Sequence, residues 1–196
     1  MPKKTFNNLE SARQAEIRDI MLPIFAEQPV SQVKVSRIVE ALGMSRGIFY
    51  KYFDDLNDAY QYLIMCYAGE IHADIMQAIA DKKHDFFGGI EEFLVTCLNL
   101  SDNDDEMKKI KLLTDNQSIF SKRVNVGEHG VKQWQNLLVD SGIEIGDSQE
   151  AESFLYFVMQ LVINSLNDAM INSWDDAQLR IEFEYRVKWI MNGIKK

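Results

Sequence analysis

Apolar residues recur three and four positions apart through most of this chain, and nowhere do they alternate over a sustained stretch. Spacing of three and four lines one face of a helix, whereas half-buried strands need strict alternation, so the pattern predicts an all-α fold. The longest series is Leu56, Tyr60, Leu63, Ile64, Tyr67, Ile71, Ile75 and Ile79. It predicts one helix from Leu56 to about Asp81, capped by Asp55. Shorter series predict helices over 86–100, 104–120 and 128–140. The segments 121–127 and 141–147 read as loops from their Gly, Asn and Ser content. Two strong helices close the chain. Ser148 is placed to cap the first, with Glu150 and Glu152 in its opening turn, where the helix dipole favours acids. Its apolar stripe is Phe154, Phe157, Val158, Leu161, Val162, Ser165, Leu166, Ala169 and Met170. The second spans about 176–193, with Leu179, Phe183, Val187, Ile190, Met191 and Ile194 directed inward. Both are more apolar than a lone peripheral helix requires. They belong either in a monomer's own core or against a second copy.

The stretch 35–53, VSRIVEALGMSRGIFYKYF, predicts two short helices joined by a tight turn. Gly43 suits a positive φ just past a helix end, and Ser45 can cap the next helix with its hydroxyl. In a helix from Arg46 to Phe53, Phe49 and Phe53 share a face and, with Met44, can pack on Val35, Ile38, Val39 and Leu42. The other face carries Arg46, Gly47, Tyr50 and Lys51. That set suits a major groove: Arg reaches guanine or phosphate, Tyr donates or stacks, and Gly permits close approach. The bland alternative is a solvated basic hairpin in an ordinary helical protein.

Charge divides unevenly. Residues 1–53 hold eight Lys/Arg and five Asp/Glu, a net +3, within a chain whose net charge is −9. A basic head on an acidic body confines phosphate binding to the head. Cys66 and Cys97 form no CxxC pair and read as small buried residues of a reducing cytosol; His72, His84 and His129 lack metal-ligand spacing. No cofactor and no metal site is expected. The longest apolar run, 154–163, contains Gln160 and is too short to cross a bilayer, so no membrane partner is expected and the location is read as cytoplasmic.

Taken in order, Ile38-Val39-x-x-Leu42-Gly43-Met44-Ser45-x-Gly47-x-x-Tyr50-x-Tyr52-Phe53 resembles the DNA-binding domain of the tetracycline-repressor (TetR) family, and Ile20, Ile24, Phe25, Ala26 and Glu27 are similar to the end of that family's first helix. There are departures. Pro29 replaces a usual Gly, Pro23 lies inside the first helix and is expected to kink it, and Lys34 replaces a usual capping hydroxyl. Leu56 replaces a Lys that touches phosphate, and Ile48 a common Thr. The resemblance implies a three-helix helix-turn-helix domain over 1–54 and a larger helical ligand-binding and dimerisation domain over 55–196, about nine helices in all. It implies DNA contacts from Lys34, Ser36, Arg37, Ser45, Arg46, Gly47, Ile48, Tyr50, Lys51 and Tyr52. It also implies a homodimer built on the last two helices, with Phe154, Val158, Val162, Phe183, Val187 and Ile190 at the interface.

The implied partners are a palindromic operator in double-stranded DNA and a small, mostly lipophilic effector that releases a repressor from it. The middle of the chain holds Phe86, Phe87, Phe93, Met107, Phe120, Trp134, Tyr156, Met159 and Trp174, which read either as core or as a cavity wall. Phe93, Cys97, Trp134, Phe157 and Leu161 are the expected lining. The alternatives are a ligand-independent helix-turn-helix dimer and, in a different class, an enzyme with a non-contiguous site. The chain carries no GxSxG, HExxH, P-loop or dinucleotide fingerprint.

Overall fold

The structure, a computed structural model, describes residues 2–116 and 127–193. Among these it contains ten α-helices, a 3₁₀ turn at Val30–Gln32 and no strand. In chain order the helices are α1 (Lys4–Asn7), α2 (Ser11–Ala26), α3 (Val35–Ala41), α4 (Arg46–Tyr52), α5 (Leu56–Asp81), α6 (Phe86–Leu98), α7 (Asp105–Thr114), α8 (Gly127–Asp140), α9 (Ser148–Asn172) and α10 (Asp176–Asn192).

Most boundaries follow local chemistry. Asp55 caps α5 by accepting the Asp58 N–H at 2.8 Å, and the Asp58 carboxylate reaches back to the Asp54 N–H at 3.1 Å. Asp85 caps α6 through the Gly88 N–H. The cap of α9 is Asp147, whose carboxylate accepts the Glu150 N–H at 2.8 Å; Ser148, the expected cap, is the first helical residue instead. A carboxylate one position earlier offers a charged acceptor and a favourable dipole interaction, and it wins the site. Ser173, at φ 51°, closes α9, and Asp175 caps α10 through the Gln178 N–H at 2.9 Å. Helix α2 continues through Pro23 to Ala26. Helix α7 stops at Thr114, short of the expected 120; residues 117–120, the loop residues 121–126 and Ile194 lie outside the described residues.

Two compact units emerge. The first comprises Met1–Glu70 and Ser101–Asp115, so it extends past the expected limit at 54 and takes in α7. Here α2 packs on α7 and α3, α3 on α4, and α1 on α4. Phe6, Ile17, Met21, Leu22, Ile38, Phe49, Phe53, Leu63 and Ile64 form its dry centre. Glu70 joins elements around this centre: it accepts from the Lys109 ammonium at 2.9 Å and lies 3.6 Å from the Arg18 guanidinium.

The second unit comprises Ile71–Leu100 and Asn116–Lys196. Helix α6 packs on α9 and α10, and α8 packs on α9. Gly89 permits the close approach of α6 to the end of α5, since a Cβ there would sit 2.5 Å from the Ile79 Cα. Phe86, Trp134 and Phe154 form an aromatic cluster, with the Trp134 ring 5.8 and 6.1 Å from the other two. By length and composition α9 is apolar enough to cross a membrane, its most apolar 18 residues having mean hydropathy 1.3. The run 154–163 was too short for that on its own, but the helix continues through Gln160 and gathers the apolar residues beyond it.

Candidate nucleic-acid interface

The turn before α4 is built as its residues dictate. Gly43 takes φ +60°, and the Met44 N–H returns to the Val39 carbonyl at 2.9 Å. The Ser45 hydroxyl accepts the Ile48 N–H at 3.3 Å. Helix α4 then buries one side chain, Phe49, which is 0% exposed. Around the rest of the helix Arg46, Gly47, Ile48, Tyr50 and Lys51 are exposed, Tyr50 by 48%. Tyr50 stands edge-on to Phe49 at 5.4 Å, which props the phenol outward.

The other expected DNA residues divide by what already holds them. Lys34 is exposed at the N-cap of α3, where, as expected, its side chain makes no capping bond, and Ser36 is half-buried. Among the described residues no ion pair engages Lys34, Arg46 or Lys51, so their charges are open to a polyanion. Arg37 is exposed but bound to the Glu27 carboxylate, which neutralises it locally. Tyr52 is half-buried and turns its ring edge toward Phe6 at 5.6 Å, so it supports the helix more than it presents itself.

The expected effector residues do not line one described cleft. Phe93, Cys97 and Trp134 are buried, Leu161 is half-buried, and Phe157 is 47% exposed. The Trp134 indole donates to the Ala151 carbonyl at 2.9 Å, a satisfied core tryptophan. Phe93 borders a cleft of about 310 Å³ with Asp74, Gln77, Ala78, Asp81, Lys82, Glu92 and Thr96, which includes none of the other four expected lining residues.

The expected dimer residues also separate. Val158, Val162 and Phe183 are buried within the protomer, Phe183 to 1% exposure, so they present no area to a second copy. Phe154, Val187 and Ile190 are half-buried. The exposed apolar face lies elsewhere: Ile181, Tyr185 and Trp189 repeat every four residues on α10, and Phe157 and Ile171 stand out on α9. Tyr185 and Trp189 stack at 6.4 Å and 17° with Trp189 54% exposed. Periodicity mixed the two faces: Leu179, Phe183, Val158 and Val162 are buried as expected, but Phe157 and Met191, expected on the inner stripes, are exposed, and Ile181, Tyr185 and Trp189 were missed. Also missed were Lys3, Thr5 and Phe6, which pack against α4 and whose sole signal was one aromatic in a polar stretch.

Comparison with known proteins agrees with this geometry. Residues 22–56 match the description "Bacterial regulatory proteins, tetR family", and residues 85–194 match "Tetracyclin repressor-like, C-terminal domain", more than half of the chain. The HTH-type transcriptional regulator AcrR of Shigella flexneri is 28% identical over 143 residues. That match covers 72% of this chain but 64% of the longer relative, less than two thirds of its length. Two solved structures share the fold. A TetR-family transcriptional regulator from Pectobacterium atrosepticum aligns with TM-score 0.59 at 13% identity, covering 93% of each chain. A Pseudomonas aeruginosa PAO1 protein assigned as a transcriptional regulator aligns with TM-score 0.56 at 17% identity, covering 95% of this chain and 94% of its own. With a capped helix-turn-helix at one end and a matching helical domain over most of the remainder, this chain belongs to the tetR family of bacterial regulatory proteins, which are helix-turn-helix transcriptional regulators.

Proposed function

We propose that the protein is a cytoplasmic homodimer that binds a palindromic operator through α4 and acts as a repressor released by a small effector. The observation that carries this reading is the division of α4: Phe49 alone is buried, while Arg46, Gly47, Ile48, Tyr50 and Lys51 face outward, with no ion-pair partner for either charge among the described residues. An uncommitted cationic face on a capped helix is what a major groove accepts, and the N-terminal dipole adds to it.

A dimer is supported by the outer faces of α9 and α10. In the most apolar window of α9, 33% of residues are buried in the chain, and α10 exposes an aromatic stack. Exposed apolar area of this kind is removed from water by a partner surface. A second copy also supplies the second reading head that a palindrome requires.

The effector is proposed to enter beside the aromatic cluster Phe86, Trp134 and Phe154, where Phe157, 6.0 Å from Phe154, reaches the surface. Release would require the effector to bind one conformation more tightly than the other. A ligand-independent dimer is the second reading, favoured by the complete packing of Trp134 and its satisfied indole. Thermal shift against a diverse lipophilic panel separates the two: stabilisation by any compound supports the effector. The experiment that tests the core reading is selection from a random duplex pool, followed by titration at several salt concentrations. Selective, salt-dependent binding is expected. Equal affinity for the selected and the random duplex would refute it.

A further inference from the structure

A seven-residue helix does not hold itself together in water, because nucleation fixes several dihedrals for one hydrogen bond. The orientation of α4 therefore comes from whatever holds its ends. Ser45 holds the first. The second is held from far upstream in sequence by residues 3–6. The Lys3 N–H donates to the Tyr52 carbonyl at 2.8 Å, and its ammonium donates to the Tyr50 carbonyl at 2.9 Å. The Thr5 hydroxyl donates to the Lys51 carbonyl. The Phe53 N–H takes the remaining one, Phe49, at 2.9 Å. The four carbonyls that a helix end leaves open are thus all occupied, and a cation sits where the helix dipole favours one. Beneath these bonds Phe6 is fully buried, its ring centroid 5.6 Å from Tyr52 and 5.0 Å from both Phe53 and Tyr62. Residues 3–6 themselves lie outside the stretch that matches the family's DNA-binding domain, residues 22–56.

We propose that residues 3–6 clamp the C-terminal end of α4 and that Lys3 and Phe6 are positioning residues for operator recognition. The inference rests on the reading of α4 as the DNA helix. Lys3 acts through the helix because its ammonium is already engaged, by the Tyr50 carbonyl and by the Asp54 carboxylate at 2.9 Å. A phosphate would have to displace both. Base reading needs the helix axis fixed closely, whereas phosphate attraction tolerates small shifts. Loss of the clamp therefore falls on selective binding and spares general affinity for DNA.

The test uses the full chain, the duplex selected above and a random duplex, each titrated across several salt concentrations. Phe6→Ala is expected to lower operator affinity by about ten- to a hundred-fold and Lys3→Met by about tenfold, the scale of one lost base contact. Random-duplex affinity should stay within about threefold, the salt slope should not change, and Lys3→Arg, which keeps donor and charge, should restore most of the loss. Wild-type operator affinity in both variants would overturn the clamp. So would an equal loss on both duplexes for Lys3→Met with a slope shallower by about one, which marks a phosphate contact. Should Phe6→Ala melt the protein, Lys3→Met and Thr5→Val decide the matter, since they remove surface bonds alone. A wild type that selects no operator sinks the α4 reading and the clamp together. A selective wild type with unaffected variants sinks the clamp by itself.

Discussion

Helices α4 and α10 each bury an aromatic anchor on one side, Phe49 and Phe183, and each leaves the opposite side uncovered. Their uncovered sides differ in kind. On α4 it is a guanidinium, a phenol and an ammonium; on α10 it is Ile181, Tyr185 and Trp189. The first set is content in water and gains from a surface dense in negative charge. The second loses about 25 cal/mol for each Å² of apolar surface left in water and gains from another apolar surface. The buried sides of the two helices are alike and say only that each belongs to a core. The uncovered sides name the partner.

The sharpest way to break this contrast is to put the same charge on the two sides of α10. Phe183→Glu places a carboxylate in the protomer core. Truncating such a phenylalanine to alanine alone costs about 3–5 kcal/mol, and an unpaired charge adds to it. The expected outcome is an unfolded or insoluble chain, seen as loss of helical circular dichroism. Trp189→Glu, six residues on, should leave the spectrum intact and yield a monomer in sedimentation equilibrium. Its operator affinity should fall by on the order of a hundredfold, because the second head no longer binds as part of one molecule. A dimeric Trp189→Glu would move the interface off the outer face of α10.

Next in size are changes on α4. Arg46→Ala and Tyr50→Ala are each expected to weaken operator binding by about 1–3 kcal/mol while the oligomeric state and melting temperature hold. The reason is that both side chains are exposed, Tyr50 meeting the buried centre only through its ring contact with Phe49. A melting temperature lowered by several degrees in either variant would show that the outer face of α4 has a structural role, and the contrast with α10 would weaken.

How much of this could be read beforehand depends on how local the determinant was. The turn at Gly43, the Ser45 cap and the start of α5 at Asp55 rest on residues within a few positions of one another, and the structure has them as expected. The span of α5 followed from its unbroken spacing of threes and fours. The inner and outer stripes of α9 and α10 could not be told apart that way, because each helix carries two apolar rows and periodicity does not say which one meets its own chain. The pairing of α7 with α2 and the contact of Lys3 and Phe6 with α4 join residues far apart in sequence. No local pattern announces such contacts. For a related reason the expected effector residues are not set apart from the core by sequence: an aromatic count registers burial, and burial serves a packed core as well as a cavity wall.

Two arginines refine the comparison within the head itself. Arg37 and Arg46 are both exposed, but Arg37 is paired with Glu27 and Arg46 has no such partner among the described residues. An exposed ion pair is worth little to stability, about 0–1 kcal/mol, yet the carboxylate offsets the pull of that guanidinium on a phosphate. Arg37→Ala should therefore cost less than about threefold in operator affinity, well below Arg46→Ala. Glu27→Gln should act in the opposite direction. It releases Arg37, so binding should tighten slightly at low salt and the slope of log affinity against log salt should steepen by about one. That steepening should vanish in the Arg37→Ala, Glu27→Gln double variant. A slope that steepens equally with or without Arg37 would mean that removing the acid acts through the general field of the head, and the distinction between a committed and an open charge would no longer explain which residues of this surface read DNA.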